Sequence, residues 1–301
     1  MDRQLMLYPR VAIAVAALLC CASPASGAPV VMDGPVTDWS AISYPLLVPD
    51  YNDDEQTGDT ESDIVGNTLR AALYLQFDDG GTPGDLTDGN IAFRLRVGAE
   101  RNPAGFSRFA AVGMDADRDG AIDIFIGVSN SGSGDRIEIY NGGPGANTSP
   151  DTTTIVSVSP TPITYSQTSS NYDWSPVDAT IEPGESDFDL DADGNTDHFL
   201  SWLVPFNDIV THLSNVFGID IEEDTPVRYV VGTSTQDNAL NQDLGGPDGG
   251  TDSSSSWEEL GAASDPVTPT GVIVPEPSSL ALLLFGLLGL AAGRAHSSPR
   301  V

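Results

Sequence analysis

The sequence contains no lysine: all 12 of its basic residues are arginine, against 44 aspartates and glutamates, for a formal net charge of −32. All but two of the acids lie between residues 29 and 274, with only eight of the arginines. Such a surface repels phosphate backbones and anionic lipid head groups, so nucleic acid is excluded as a partner, while divalent cations are attracted. Cysteine is almost as scarce. The two present, Cys20 and Cys21, sit near the start, which leaves the body of the chain without a disulfide, a thiol nucleophile or a cysteine-based zinc site. Histidine is limited to His198 and His212 in that body. There is no G-x-S-x-G, no H-E-x-x-H and no Gly-Lys phosphate loop. Carboxylates abound, but no pair is singled out for glycoside hydrolysis. No catalytic residue is assigned, and the chain is expected not to be an enzyme.

Both ends carry address-like segments. Residues 1–28 combine Arg3 and Arg10, an apolar stretch from Val11 to Cys21, and the small residues Ala25-Ser26-Gly27-Ala28. This is the make-up of an export signal, with the translocon and signal peptidase as the implied partners. Acylation at Cys20 or Cys21 is the alternative, and the bulky Leu19 before Cys20 argues against it. At the other end, Leu280 to Ala292 is apolar and Arg294 follows. A helix over 280–292 is roughly 20 Å long, short of a full bilayer crossing at about 20 residues. It is expected to anchor only transiently in the inner membrane; a permanent single-pass anchor is the alternative.

Pro275-Glu276-Pro277, the apolar run and Arg294 together resemble the PEP-CTERM sorting signal. The resemblance covers residues 274–294 and implies processing by an exosortase-type enzyme. It also implies release to the cell surface or extracellular matrix of a Gram-negative bacterium, in association with exopolysaccharide or biofilm. The chain departs from the pattern in continuing from Ala295 to Val301.

Between the ends, apolar and polar residues alternate in short runs. Phe93, Leu95 and Val97 alternate with Arg94 and Arg96, and Ile137 and Ile139 with Arg136 and Glu138. Strand-like runs also cover 69–77, 109–114, 122–128, 154–158, 199–204 and 227–233, separated by Gly, Asn and Asp. Eight or nine strands predict an all-β fold, an antiparallel β-sandwich or jelly roll. One short helix is expected from the spacing of Phe206, Ile209, Val210, Leu213, Val216 and Phe217, capped by Asn207 or Asp208 and ended by Gly218. The domain is expected over 29–245, followed by a flexible spacer over 246–273 and the sorting tail over 274–301.

The chemistry lies in a repeat. Asp115-Ala-Asp117-Arg-Asp119-Gly-Ala121-Ile-Asp123 and Asp189-Leu-Asp191-Ala-Asp193-Gly-Asn195-Thr-Asp197 both read D-x-D-x-D-G-x-x-D, 74 residues apart. Alternate aspartates in a tight loop converge on one point, the glycine permits the turn, and the seventh residue can offer its carbonyl. Two calcium ions are predicted. The twelfth places hold Ile126 and Leu200 rather than the glutamate of a full EF-hand. The loops resemble the abbreviated calcium loops of dockerins and thrombospondin type 3 repeats. Glu185 or Asp187 is a candidate to complete the second loop. The acids at 78–88 and 50–63 have no fixed spacing and read as solvated loops.

Asp33-Gly34-x-x-x-Asp38-Trp39 resembles the opening of family 9 carbohydrate-binding modules, which implies a sandwich fold and a sugar stacked on exposed aromatic rings. Trp39, Trp174, Trp202 and Trp257 are the candidates, Trp174 the one expected to be exposed. The expected function is that of a non-catalytic, calcium-stabilised surface or matrix protein. A glycan-binding module is the alternative, and a secreted hydrolase trails it.

Overall fold

The alternating runs pair into two sheets. A computed structural model describes residues 29–44, 50, 54–99, 105–130, 134–236, 239–247 and 254–274. The export signal, Pro275, Glu276, Pro277, Arg294 and the 280–292 run lie outside these residues. No helix among the described residues is long and apolar enough to cross a membrane.

The first sheet contains β1 (Ser40–Ala41), β2 (Leu73–Asp78), β3 (Asn90–Val97), β9 (Tyr172–Pro176) and β10 (His198–Pro205), in the order β1-β2-β3-β10-β9. The second contains β4 (Phe109–Asp115), β5 (Ile124–Ser129), β6 (Arg136–Gly142), β7 (Ile155–Ser157), β8 (Ile163–Ser166), β11 (Arg228–Ser234) and β12 (Asp243–Leu244). Its order is β12-β11-β4-β5-β6-β7, with β8 also on β6. Every strand pair is antiparallel. The expected all-β sandwich is the observed architecture.

The period of two places Phe93, Leu95 and Val97 of β3 with Leu200, Trp202 and Val204 of β10 on the inner face of one sheet. Val112 and Met114, Ile124 and Ile126, and Tyr229 and Val231 line the inner face of the other. Each such side chain, fully buried, contributes ~1.5–3 kcal/mol. The predicted helix is α1 (Phe206–Phe217), closed by Gly218 in the left-handed region at φ 70°. Its start is not capped by Asn207 or Asp208: the N-cap is Pro205, with no side-chain bond. Asp208 instead accepts a 2.6 Å hydrogen bond from the Tyr165 hydroxyl.

The outer faces are covered as well, which alternation alone does not reveal. Residues 30–39 and 177–188 lie over the first sheet and bury Trp39, Tyr74, Val177, Ile181 and Phe199 together. Arg94 and Arg96, outward-pointing on β3, are therefore 1% and 0% exposed. Arg94 sits 4.2 Å from the Trp39 ring centroid and donates to the carbonyls of Met32 and Gly34 at 2.6 and 2.7 Å. The Asp33–Trp39 motif is thus a clamp on a buried arginine.

The second sheet is covered by the segment expected to be a spacer. Over its described residues, 246–247 and 254–273, it is part of the fold. It forms α2 (Trp257–Leu260), in which Ser256 and Glu259 cap each other's backbone N–H. Trp257 is 1% exposed and packs with Phe109, Phe125 and Tyr140. Val267 forms bridges to Val227 and Ile273. A large aromatic surface buried in the serine-rich stretch overrides its flexible composition.

Candidate metal centres

The two acidic repeats adopt one conformation. The fourth residue of each, Arg118 and Ala192, is left-handed at φ 61° and 60°, and the sixth, Gly120 and Gly194, at φ 90° and 95°. The second residue donates its N–H to the ninth aspartate in both: Ala116 to Asp123 at 2.8 Å, and Leu190 to Asp197 at 3.2 Å. The sixth donates to the first, Gly120 to Asp115 and Gly194 to Asp189, each at 3.1 Å. The seventh donates to the fifth, Ala121 to Asp119 at 2.9 Å and Asn195 to Asp193 at 2.7 Å. The shared backbone follows from the shared aspartate spacing, because short acidic side chains tie down the N–H groups of a tight turn.

In each loop, carboxylate oxygens from the first, third and ninth positions lie within 4.8 Å of one another: Asp115, Asp117 and Asp123, and Asp189, Asp191 and Asp197. Oxygens this close can share one calcium ion, whose ligands sit ~2.4 Å from the metal. Asp119 and Asp193 are outside these sets; one oxygen of each accepts the N–H of the seventh residue. In the second loop Asp189 Oδ1 and Asp191 Oδ2 are buried with no hydrogen-bond donor. Among the described residues, several buried or half-buried acidic clusters can thus hold a metal ion. Burial, then mutual repulsion, raises the carboxyls that converge: Asp115 to about 6 and Asp123 to about 7. Asp191 rises to about 7 and Asp197 to about 6, in Asp197 against the opposing pull of Arg96.

The loops differ in setting. The first joins β4 to β5 as a hairpin turn, as its position between two strands predicts. The second ends the long 177–197 connection between β9 and β10. Its Asp197 is fully buried and accepts from Arg96 Nε at 2.6 Å, while Arg96 Nη1 reaches Glu182 at 2.7 Å. Neither Glu185 nor Asp187 joins the second cluster: Glu185 pairs with Arg70, which also donates to the Asp187 carbonyl at 2.6 Å. Gly98 makes room for this loop, since a Cβ there would stand 2.4 Å from Asp191 Oδ2.

Among the described residues, the acids between 50 and 63 are not a solvated loop. Asp50, Asp59, Glu61 and Asp63 are 1%, 5%, 0% and 0% exposed. Asp59 pairs with Arg108 at 2.6 Å, and Glu61 accepts from Ser107 Oγ at 2.8 Å. Asp50 and Asp54 meet Asp243 in a third converging group. These residues are 193 positions apart at the extremes, so local spacing carries no trace of it. Asp78 to Asp88 does form a hairpin loop between β2 and β3, largely exposed apart from Asp79.

Neither histidine lies in these clusters. His212 Nε2 bonds Asn141 Oδ1 at 2.6 Å, and His198 stacks on Trp174 with ring centroids 4.8 Å apart. Trp39, Trp202 and Trp257 are buried; Trp174 is half-buried.

Fold and sites together define an antiparallel β-sandwich with matched acidic loops able to bind metal. No protein-family model, no curated protein and no solved structure matches the chain.

Proposed function

We propose that this chain is an exported, non-catalytic β-sandwich that binds one calcium ion in each acidic loop and works at the cell surface or in the extracellular matrix. The observation that supports it is the doubling: two loops of one sequence pattern, one backbone conformation and one convergent carboxylate set. An acidic turn needs no such match. A hard, oxygen-seeking dication answers three carboxylates at this spacing, and calcium is abundant outside cells. Bound ions would stabilise the native state, because the unfolded chain cannot hold three carboxylates at one point. The export and sorting part rests on residues 1–28 and on the Pro275-Glu276-Pro277, 280–292 and Arg294 pattern, with an exosortase-type enzyme and exopolysaccharide as the partners implied.

Calorimetric titration of the metal-free protein with calcium tests the metal reading. Binding of at least two ions is expected, with one lost in Asp117→Ala and one in Asp191→Ala; no binding sinks it. Secretion assays test the sorting reading: Glu276→Ala is expected to leave the protein in the inner membrane, and a chain lacking 275–301, without the 280–292 run, to be exported but not held there; release of Glu276→Ala at the wild-type level sinks it.

A glycan-binding role draws on one feature, a cleft of about 640 Å³ lined by Phe106, Asn130, Gln167, Tyr172, Asp173 and Trp174. Trp174 there already packs on His198 and Phe106, which limits its use as a stacking platform. Specific retention of one glycan class on an array, lost in Tyr172→Ala, would favour this role.

A further inference from the structure

We propose that Asp50, Asp54 and Asp243 form a third divalent-cation site, enclosed by the fold, that fastens Asp50 and residues 54–65 to the edge of the second sheet. This extends the calcium reading to residues outside both loops.

One oxygen from each of the three carboxylates lies within 4.8 Å of the other two. Asp50 and Asp243 are 1% and 0% exposed, and Asp54 is half-buried. Both Asp243 oxygens accept short backbone bonds, from Ile64 N at 2.6 Å and Leu244 N at 2.7 Å. These two N–H donors favour the ionised form, against the burial that pushes Asp243 well above the usual carboxylate range. Asp50 Oδ1 accepts from Gly246 N at 3.1 Å, whereas Asp50 Oδ2 is buried with no donor. A separate group points the same way. The Tyr44 hydroxyl is buried without a hydrogen-bond partner, feels the charge of Asp50, and lies against Gly245, two residues from Asp243.

Among the described residues, the charges that act on Asp50 are those of Asp243, Asp54 and Asp63, and on Asp243 those of Asp54 and Asp63. Arg108 is paired with Asp59, and Arg96 with Glu182 and Asp197. Buried charges of one sign are neutralised by protons, by a counter-charge or by a metal, and burial pushes Asp50 and Asp243 well above the usual carboxylate range while no ion is bound. A dication offsets two of the three charges, and calcium accepts the mixed carboxylate, hydroxyl and water oxygens such a place offers. The architecture gives the ion a task. Asp243 lies on β12, which among the described residues pairs with β11 alone, while Ile64 bridges to Val97 of the first sheet. An ion here ties the edge of one sheet to the chain crossing to the other.

Ion stoichiometry, measured by equilibrium dialysis with elemental analysis on full-length protein in calcium, tests the site. Wild type is expected to hold three ions, and Asp50→Asn and Asp54→Ala two each. Asp54, half-exposed, is the variant least prone to misfold, and circular dichroism checks that it has folded. A variant disabling both loops, Asp117→Asn with Asp191→Asn, is expected to keep one ion. Only two ions in wild type, an unchanged count in Asp50→Asn and Asp54→Ala, or none left in the double-loop variant overturns the third site. Three ions in the double-loop variant would instead overturn the loop reading, so the two fail separately.

Discussion

Arg96 is held in the interior between Glu182 and Asp197, and its neighbour on the same face, Arg94, is held by two carbonyls, Ser201 and the Trp39 ring. Removing the cation from such a pair leaves buried carboxylates uncompensated, which costs about 3–5 kcal/mol. Arg96→Ala is therefore expected to lower the urea midpoint strongly; a shift no larger than that of a surface arginine would refute the reading. Gly98 gives a sharper test. Gly98→Ala places a methyl against Asp191, so calcium binding at the second loop should weaken while the first loop is unaffected, as separate titration phases would show. The loop aspartates also set a pH response. Asp115, Asp123, Asp191 and Asp197 titrate at about 6 to 7 in the metal-free fold, above an ordinary aspartate. Between about pH 4 and pH 7 the folded state binds more protons than the unfolded one, so metal-free stability falls as pH rises. Thermal melts of the metal-free protein should drop from pH 5 to pH 7.5, and saturating calcium should remove the drop. A metal-free melt that rises over this range would contradict it.

At the level of elements, the two loops occupy opposite ends of the sandwich. Asp115 pairs with Arg228 at one end of β4, and Phe109 with Ser234 at the other. The second loop leads into His198, opposite Val97, whose other partner Ile64 binds Asp243 beside Thr233. Disabling both loops should thus destabilise by the sum of the single effects to within ~0.5 kcal/mol, as denaturation of the double variant against the two singles will test. Much of this was legible beforehand. The alternation of Phe93, Leu95 and Val97 carries β3, the spacing of Phe206 to Leu213 with Gly218 carries α1, and the D-x-D-x-D-G-x-x-D repeat carries both loops, because each is a local pattern. The burial of Arg94 and Arg96 was not legible, since it depends on which distant segments lie over β3. Nor was Trp257, whose pocket is made by Phe109, Phe125 and Tyr140 from three strands. The meeting of Asp50 with Asp243 has no short-range signature at all.

For the whole molecule, a charge of −32 with most described arginines engaged in pairs sets a self-repulsion that the core must overcome. Removal of calcium is expected to lower the melting temperature by several degrees, and calorimetry in calcium against chelator measures it. High salt should recover part of that loss, because at 1 M the screening length shrinks to about 3 Å. An unchanged melt on chelation would remove the stabilising role of the ion. The sheets have a further property in where they stop. The outermost strands β1 and β12 span two residues each, β7 three, β8 four and β9 five. Rows of unpaired backbone groups that short give an incoming strand little to register against. However densely copies of the protein gather, they will meet through side chains and ions rather than by zipping their sheets together.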